Sequence, residues 1–221
     1  MEICDEGMFG MHPEITEWKV RLGLQLSSAY AAFRAYCKAN RVTCSQPRFT
    51  VSRLSLTTLQ CYPMLKCKAW NSMVVISWLA SICAEAGEDK DMYSTHRAAM
   101  LWGFARFHDL LRDGVWMDDN QVHELCDARD AMLGCYHMLS KLASERNAYR
   151  YPMKPKHHML DHAVRRALHT KLNPGSHWAF AEEDNVGIVM KICQACHDMT
   201  MGSRSLQRWC MHFFWDLQSC R

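Results

Sequence analysis

The stretch DDNQVHELCDARDAMLGCYHMLSKLASE, residues 118–145, settles the class of fold. Along it Val122, Leu125, Arg129, Met132, Tyr136, Leu139 and Leu142 recur at steps of three and four. At about 100° of rotation per residue these positions make one stripe, which predicts an amphipathic helix. Asp118 or Asp119 stands where a short acidic side chain caps a first turn.

The same period continues on both sides. Upstream, residues 92–112 put Met100, Phe104, Phe107 and Leu111 inward, and Gly114 stops the helix. Residues 63–86 form a more apolar segment with Leu65, Ala69, Val75, Ile76, Leu79 and Ile82, ended by Gly87. Residues 14–40 follow Pro13 and space Trp18, Leu22, Leu26, Ala29, Phe33 and Tyr36 as a helix does. Between these two lies RVTCSQPRFTVSRLSL, residues 41–56, the least helical part of the chain. Phe49 and Val51 alternate with polar neighbours there, so a short extended piece is expected.

Downstream, the linker NAYRYPMKPK (147–156) places Pro152 and Pro155 where no helix interior accepts them, so the next helix starts at or after Pro155. A second break, TKLNPGSHW, covers 170–178. Another helix is predicted over about 182–200. A last one begins at Ser203, with Leu206, Trp209, Cys210, Phe213, Phe214 and Leu217 on one face. The sum is a mostly α protein, an irregular bundle of about seven helices. Residues 1–60 read as an N-terminal helix with an irregular segment and 61–221 as the helical bundle, or the whole as a single domain.

A chain of 221 residues with 49% hydrophobic and 22% charged residues has the make-up of a folded protein. Twelve cysteines raise the question of disulfides. The start, MEICDEGMFGMHPEI, has neither a basic region nor an apolar core, so no secretory signal is expected. Cys37, Cys83, Cys126, Cys135, Cys193 and Cys210 fall inside helical patterns, where reduced cysteine acts as a small hydrophobe. These features predict an intracellular protein, cytoplasmic or nuclear. No run reaches the ~18 apolar residues of a membrane span, so no membrane partner is expected.

The net charge of +3 hides an uneven distribution. From Lys141 to Lys171 there are eight Lys/Arg against Glu145 and Asp161, a net of +6. Residues 113–130 are acidic, with Arg129 alone opposing six carboxylates. Within the basic segment, KPKHHMLDHAVRRALH (154–169) separates into two helical faces. Leu160, Ala163, Val164, Ala167 and Leu168 fall together as the buried side. His158, His162, Arg165, Arg166 and His169 lie opposite, with His157 near the apolar edge.

Three readings compete for this helix. One is a solvated surface with no special role. Another is a contact for DNA or RNA, made by Arg150, Lys154, Lys156, His158, His162, Arg165, Arg166 and Lys171, which would attract phosphates and release counterions. Tyr149 and Tyr151 interleave with Arg150, a pattern compatible either with base stacking or with anchoring the linker. The third is zinc or another divalent metal on His158 and His162, whose i, i+4 spacing suits one ion. Against it, Arg165 and Arg166 flank the pair, Asp161 points aside, and no HExxH glutamate is present.

Two further strings carry possible chemistry. CQACH, Cys193–His197, matches the attachment pattern of c-type haem. Its helical position beside Val186, Val189 and Met190 favours a pair of core cysteines over haem, or over zinc shared with His157 or His177. Glu182, Glu183 and Asp184 open a predicted helix, where carboxylates meet the positive end of its dipole.

The segments YPMLKCKA, MKPKHHMLDH and LNPGSHWAFAEEDNVG resemble stretches of uncharacterised, mobile-element-derived reading frames of protist genomes. The matching positions are Pro155, Lys156, His158, His162, Asn173, Pro174, Trp178, Glu183, Asp184 and Gly187, within about residues 60–200. The order is also distantly similar to transposases whose RNase H-like core is interrupted by a helical insert. That likeness implies Glu183 as the last metal-binding carboxylate. Such a centre needs two or three converging acids, and this chain has no strand-rich stretch upstream to hold the others. The expectation is therefore a non-catalytic helical protein without a cofactor, with a basic surface for nucleic acid. A metal-binding protein, a remnant of a metal-dependent transposase or nuclease, and a protein-interaction module carried by Trp209, Phe213 and Phe214 are the alternatives.

Overall fold

The computed structural model of the chain describes residues 8–10, 12–58, 60–85, 91–177 and 190–219. It divides into two compact units, Met1–Ser176 and His177–Arg221. The first unit holds α1 (Trp18–Ala39), α2 (Ala69–Glu85), α3 (Met92–Leu111), α4 (Asp119–Glu145) and α5 (Pro155–Thr170). Consecutive helices pack on one another. The fold is mostly α, as the periodicity predicts.

Helix α4 shows how closely local chemistry matches the pattern. Asp118 is the cap: its carboxylate accepts from Gln121 N at 2.8 Å, and the Gln121 side chain accepts from Asp118 N at 2.9 Å. Two otherwise orphaned donors are thus satisfied reciprocally. The stripe then buries Val122, Leu125, Ala128, Met132, Tyr136, Leu139 and Ala143. Leu142, expected on it, is only half-buried, and Ala143 takes its place. At Gly103 of α3 an added Cβ would lie 2.7 Å from the Ala128 carbonyl oxygen. The two helices therefore approach backbone to backbone at a point only glycine allows.

Two boundaries differ from the periodicity. Helix α1 starts at Trp18, not at residue 14. Helix α2 starts at Ala69, not at Pro63. Before Ala69 the backbone is engaged elsewhere, since Met64 N donates to Leu54 O at 2.8 Å and Lys66 N to Arg53 O at 3.0 Å. In a helix that began at Pro63 the Lys66 amide would bond to the carbonyl four residues back, and here that amide is taken by Arg53.

Residues 41–56 form no strand. Side chains of the neighbouring helices satisfy their backbone instead. Trp70 Nε1 donates to Thr43 O at 3.0 Å, Arg34 to Cys44 O at 3.1 Å and Tyr30 to Gln46 O at 3.2 Å. This frees Phe49 to enter the core, where its ring lies 5.6 Å from Phe33 and 6.1 Å from Trp78. The core that results runs from Leu22 of α1 to Tyr151 beyond α4.

A buried asparagine closes the first unit. Asn173, wholly inaccessible, donates from its side-chain amide to Leu110 O and to Gly114 O, each at 3.0 Å. Its Oδ1 accepts from Gly175 N at 2.8 Å. Asn173 N donates to Val115 O, and Met117 N to Lys171 O. Trp116 and Leu172 form an isolated antiparallel bridge between the same segments. The α3–α4 turn, with Gly114 at φ +77°, is thereby tied to the end of α5.

In the second unit, residues 190–194 are helical, a 3₁₀ turn covers Asp198–Thr200, and a terminal helix spans Met201–Ser219. The helix predicted to reach residue 200 thus ends near 194, and its residues 182–189 lie outside the described ones. Ser203 sits inside the terminal helix instead of capping it. Leu206, expected on its apolar face, is 63% exposed. The side chains of Phe213, Phe214 and Leu217 lie outside the described residues.

Replacing Asn173 by alanine removes the side-chain donor from the Gly114 carbonyl and from the Leu110 carbonyl, which keeps only the Asp113 amide at 3.3 Å. Asn173→Ala is expected to cost about 2–4 kcal/mol in urea unfolding, from two buried acceptors at ~1–3 kcal/mol each. The near-isosteric Asn173→Asp, which presents oxygens to those oxygens, should cost at least as much. Full stability of either variant rules out the role assigned to this residue.

Candidate nucleic-acid interface

Helix α5 begins as its two prolines require. Lys154 is the extended residue before it and Pro155 occupies the first turn. It ends at Lys171, which adopts left-handed φ +60° and donates to Ala167 O at 2.8 Å. That conformation usually falls to glycine. Here the side chain of Lys171 is ion-paired to Asp119 of α4, and its carbonyl receives Met117 N, so both neighbours hold it in place.

Val164 and Ala167 are buried, and Leu160 and Ala163 half-buried. Leu168, expected with them, is 41% exposed. On the outer side Lys154, Lys156, His158, His162, Arg165, Arg166 and His169 are all exposed. Lys171 and Arg150 are half-buried.

The single carboxylate of α5 is turned away from this surface. Asp161 is bound by Arg129 of α4, and Arg165 reaches the same group at 2.9 Å. Partial burial pushes the Asp161 carboxyl up, but the two guanidiniums together hold it below the usual range. Arg129, read from the sequence as part of an apolar stripe, is therefore the half-buried counter-charge that meets α5.

The two outer histidines touch. His158 Nε2 and His162 Nε2 are 2.8 Å apart, with ring centroids at 4.2 Å. A hydrogen bond at this distance needs one Nε2 to donate and the other to accept. Among the described residues no three His, Cys, Asp or Glu side chains group around a common point. His157 behaves differently. It packs edge-on against Tyr136 at 4.6 Å, and burial, then Lys154, lowers its pKa.

The linker tyrosines also part company. Tyr149 is 44% exposed and lies edge-on to Tyr62 at 5.9 Å. Tyr151 is buried, with left-handed φ +54°. Its hydroxyl shares a 3.0 Å hydrogen bond with that of Tyr93, and its ring meets Tyr136 at 5.5 Å. Tyr151 anchors the linker and offers no face to a base. Tyr136 in turn donates to Pro152 O at 3.0 Å, and burial pushes its phenol up to about 12.

Of the other sequence candidates, Glu183 lies outside the described residues, as do Trp178, Asp184 and Gly187. In CQACH the helix ends before the motif is complete. Cys196 is buried and donates to Ile192 O, while His197 is exposed, so the two do not share a face. The ten described cysteines are free thiols. Cys61 is distinctive among them. Thr57 Oγ1 and Thr58 Oγ1 lie 3.1 Å and 3.4 Å from its sulfur, and these hydroxyls lower its pKa to about 6. Cys61, Arg21 and Arg146 line one cavity with Arg150. Sequence reading passes over them because they come from three separate segments with no shared spacing.

These features define a helical-bundle protein with one cationic helix on its surface. Among the described residues no helix is long and apolar enough to cross a membrane. No protein-family model, curated protein or solved structure matches the chain.

The histidines give the fold a pH dependence of definite sign. Burial lowers the pKa of both His108 and His157 below the ordinary value. Unfolding returns each to about 6.5, so the unfolded chain binds more protons as pH falls through that value. The thermal midpoint is expected to drop between pH 7.5 and 5.5, and His157→Gln to flatten part of that slope. A midpoint constant over this window contradicts the lowered pKa of these two half-buried rings.

Proposed function

We propose that this chain is a non-catalytic helical module that contacts nucleic acid through the outer face of α5. One observation carries the reading: Lys154, Lys156, Arg165 and Arg166 are exposed with three histidines along the outer side of α5, whose only carboxylate, Asp161, is shared between Arg129 of the neighbouring helix and Arg165. Phosphate oxygens are the natural partners of such a surface, since each neutralised phosphate releases condensed counterions. Lys154 and Lys156 stand at the positive end of the α5 dipole, where cations weaken the helix itself. An external anion reverses that penalty. The resemblance carried by Pro155, Lys156, His158, His162, Asn173 and Pro174 supports an origin in a mobile element, and the reduced cysteines suit an intracellular, cytoplasmic or nuclear setting.

The test is affinity for fluorescein-labelled single- and double-stranded DNA and RNA over a salt series. Log K should fall linearly with log salt, with a slope of about −0.9 per phosphate contacted on duplex DNA. Lys156→Gln and Arg166→Gln should each weaken binding to all sequences alike and reduce the slope by about one. Absent or salt-independent binding eliminates the reading.

The proximity of His158 and His162 favours a second reading, in which the two rings move slightly apart to become adjacent ligands of one zinc ion. Elemental analysis of untagged protein distinguishes the two. Stoichiometric zinc, lost in His158→Ala and His162→Ala, would replace the polyanion surface by a metal centre. Protein free of zinc after purification in its presence excludes it.

A further inference from the structure

Residues 18–84 hold nine Lys/Arg and not one Asp or Glu. The net charge of the whole chain conceals this block, because acids stand close on either side of it, at Glu14 and Glu17 before and at Glu85 and Glu88 after. A block of one sign argues for an anionic partner only where its cations gather on the surface. They gather on the stretch 62–68, which leads into α2. Exposure alternates there residue by residue: Tyr62, Met64, Lys66 and Lys68 face solvent, while Pro63 is buried and Leu65 and Cys67 are half-buried. Period two is that of an extended backbone, whose alternate side chains stand in one row. The row is held from beneath, since Met64 N donates to Leu54 O and Lys66 N to Arg53 O. The second bond brings the exposed Arg53 alongside. Among the described residues no carboxylate is ion-paired to Arg53, Lys66 or Lys68.

The linker after α4 completes this surface. Tyr149 lies edge-on to Tyr62 at 5.9 Å, and the two rings remain 44% and 46% exposed. Lys154 Nζ reaches Met64 Sδ at 3.6 Å, so the row runs up to the residue that precedes α5. Ring, thioether and cation thus follow one another along one line. Lysines without rings would take any polyanion, and rings without lysines any apolar chain. A duplex answers the lysines but keeps its base faces stacked inside, which leaves Tyr62, Met64 and Tyr149 uncovered. A single strand alternates a flat base with a charged phosphate. Its bases stack on aromatic rings whatever their sequence, because every base has a π-face.

We propose that the row Tyr62, Met64, Lys66 and Lys68, with Tyr149 and Arg53 at its side, is a track for a single-stranded nucleic acid, bases against the two tyrosines and phosphates on the cations. Neither contact involves the 2′-hydroxyl, so DNA and RNA strands are held alike. The track adjoins the outer face of α5 at Lys154 but rests on its own residues, and it stands whether or not that face binds.

Ultraviolet crosslinking to the unaltered full chain locates the strand. A short oligothymidylate carrying 5-iodouracil is irradiated with the protein, and the modified peptides are identified by mass spectrometry. Crosslinks are expected on the peptide that contains Tyr62 or on the one that contains Tyr149. Unlabelled oligothymidylate and oligouridylate should suppress them equally. An abasic oligomer of equal charge, a duplex of equal length and poly-glutamate should not suppress them at the same concentration. In fluorescence anisotropy Tyr62→Ala and Tyr149→Ala should each weaken oligothymidylate about tenfold, within the range for one stacked base. Lys66→Gln and Lys68→Gln should each lower the slope of log K against log salt by about 0.7, the single-strand value per phosphate. Lys156→Gln and Arg166→Gln, on α5, should leave the crosslinks in place. Loss of crosslinks in those two variants, with full retention in Lys66→Gln and Lys68→Gln, would confine binding to α5 and overturn the track while the α5 reading stands. Crosslinks absent from both tyrosine peptides, suppressed as well by the abasic oligomer or the duplex, or suppressed by only one of the two strands also overturn it. Suppression by poly-glutamate would reassign the row to an acidic protein. The crosslinking comparisons use the unaltered chain, so they decide the matter even where a variant does not fold.

Discussion

The two hydrogen bonds that Asn173 sends to Leu110 and Gly114 hold the rest of the first unit in register. Helices α3 and α4 already touch at Gly103, but their connecting turn has carbonyls that no helix satisfies. One side-chain amide reaches two of them. The same residue ends the segment after α5, so the turn and the helix are fixed by one group. The following Gly175 is constrained as tightly, since a Cβ there would sit 2.2 Å from the Leu111 carbonyl oxygen. The Asn-Pro-Gly sequence is thus an architectural lock, and its cost of burial is met by full hydrogen bonding.

The location of charge follows from that lock. With α5 set against α4, Arg129 lies under it and captures Asp161, and Asp119 captures Lys171. The acidic start of α4 and the basic run after it are therefore partly joined in space, which the linear charge count does not reveal. What remains on the outside is cationic because the one carboxylate of α5 is shared between Arg129 and Arg165, leaving Lys154, Lys156 and Arg166 beside it. Histidines follow the same division. His157, at the apolar edge, is drawn against Tyr136, while His158 and His162 stay in solvent.

The helices were legible because burial on one side imposes a period that any reader of the chain can count. Val122, Leu125, Met132, Tyr136 and Leu139 show it without ambiguity, and the proline at 155 marks the start of α5 to the residue. The mistakes arose where partners distant in sequence decide the outcome. Residues 63–68 have helical composition, but Met64 and Lys66 donate their amides to Leu54 and Arg53. Residues 41–56 have strand-like alternation but surrender their carbonyls to Arg34, Tyr30 and Trp70. For Tyr151 the sequence leaves base stacking and anchoring of the linker both open, and a left-handed backbone turn that no local pattern announces decides for the anchor. The outer face of α5 was legible from helical geometry alone. The cavity was not, since Arg21, Cys61 and Arg146 meet only after folding.

Asp161 sits between two guanidiniums that differ in their freedom. Arg129 is confined beneath the helix, whereas Arg165 is exposed and holds the second oxygen from outside. Losing Arg165 would therefore leave the carboxylate still bound by the inner guanidinium, so one acidic group joins the helix to its neighbour and orders an outer side chain at the same time.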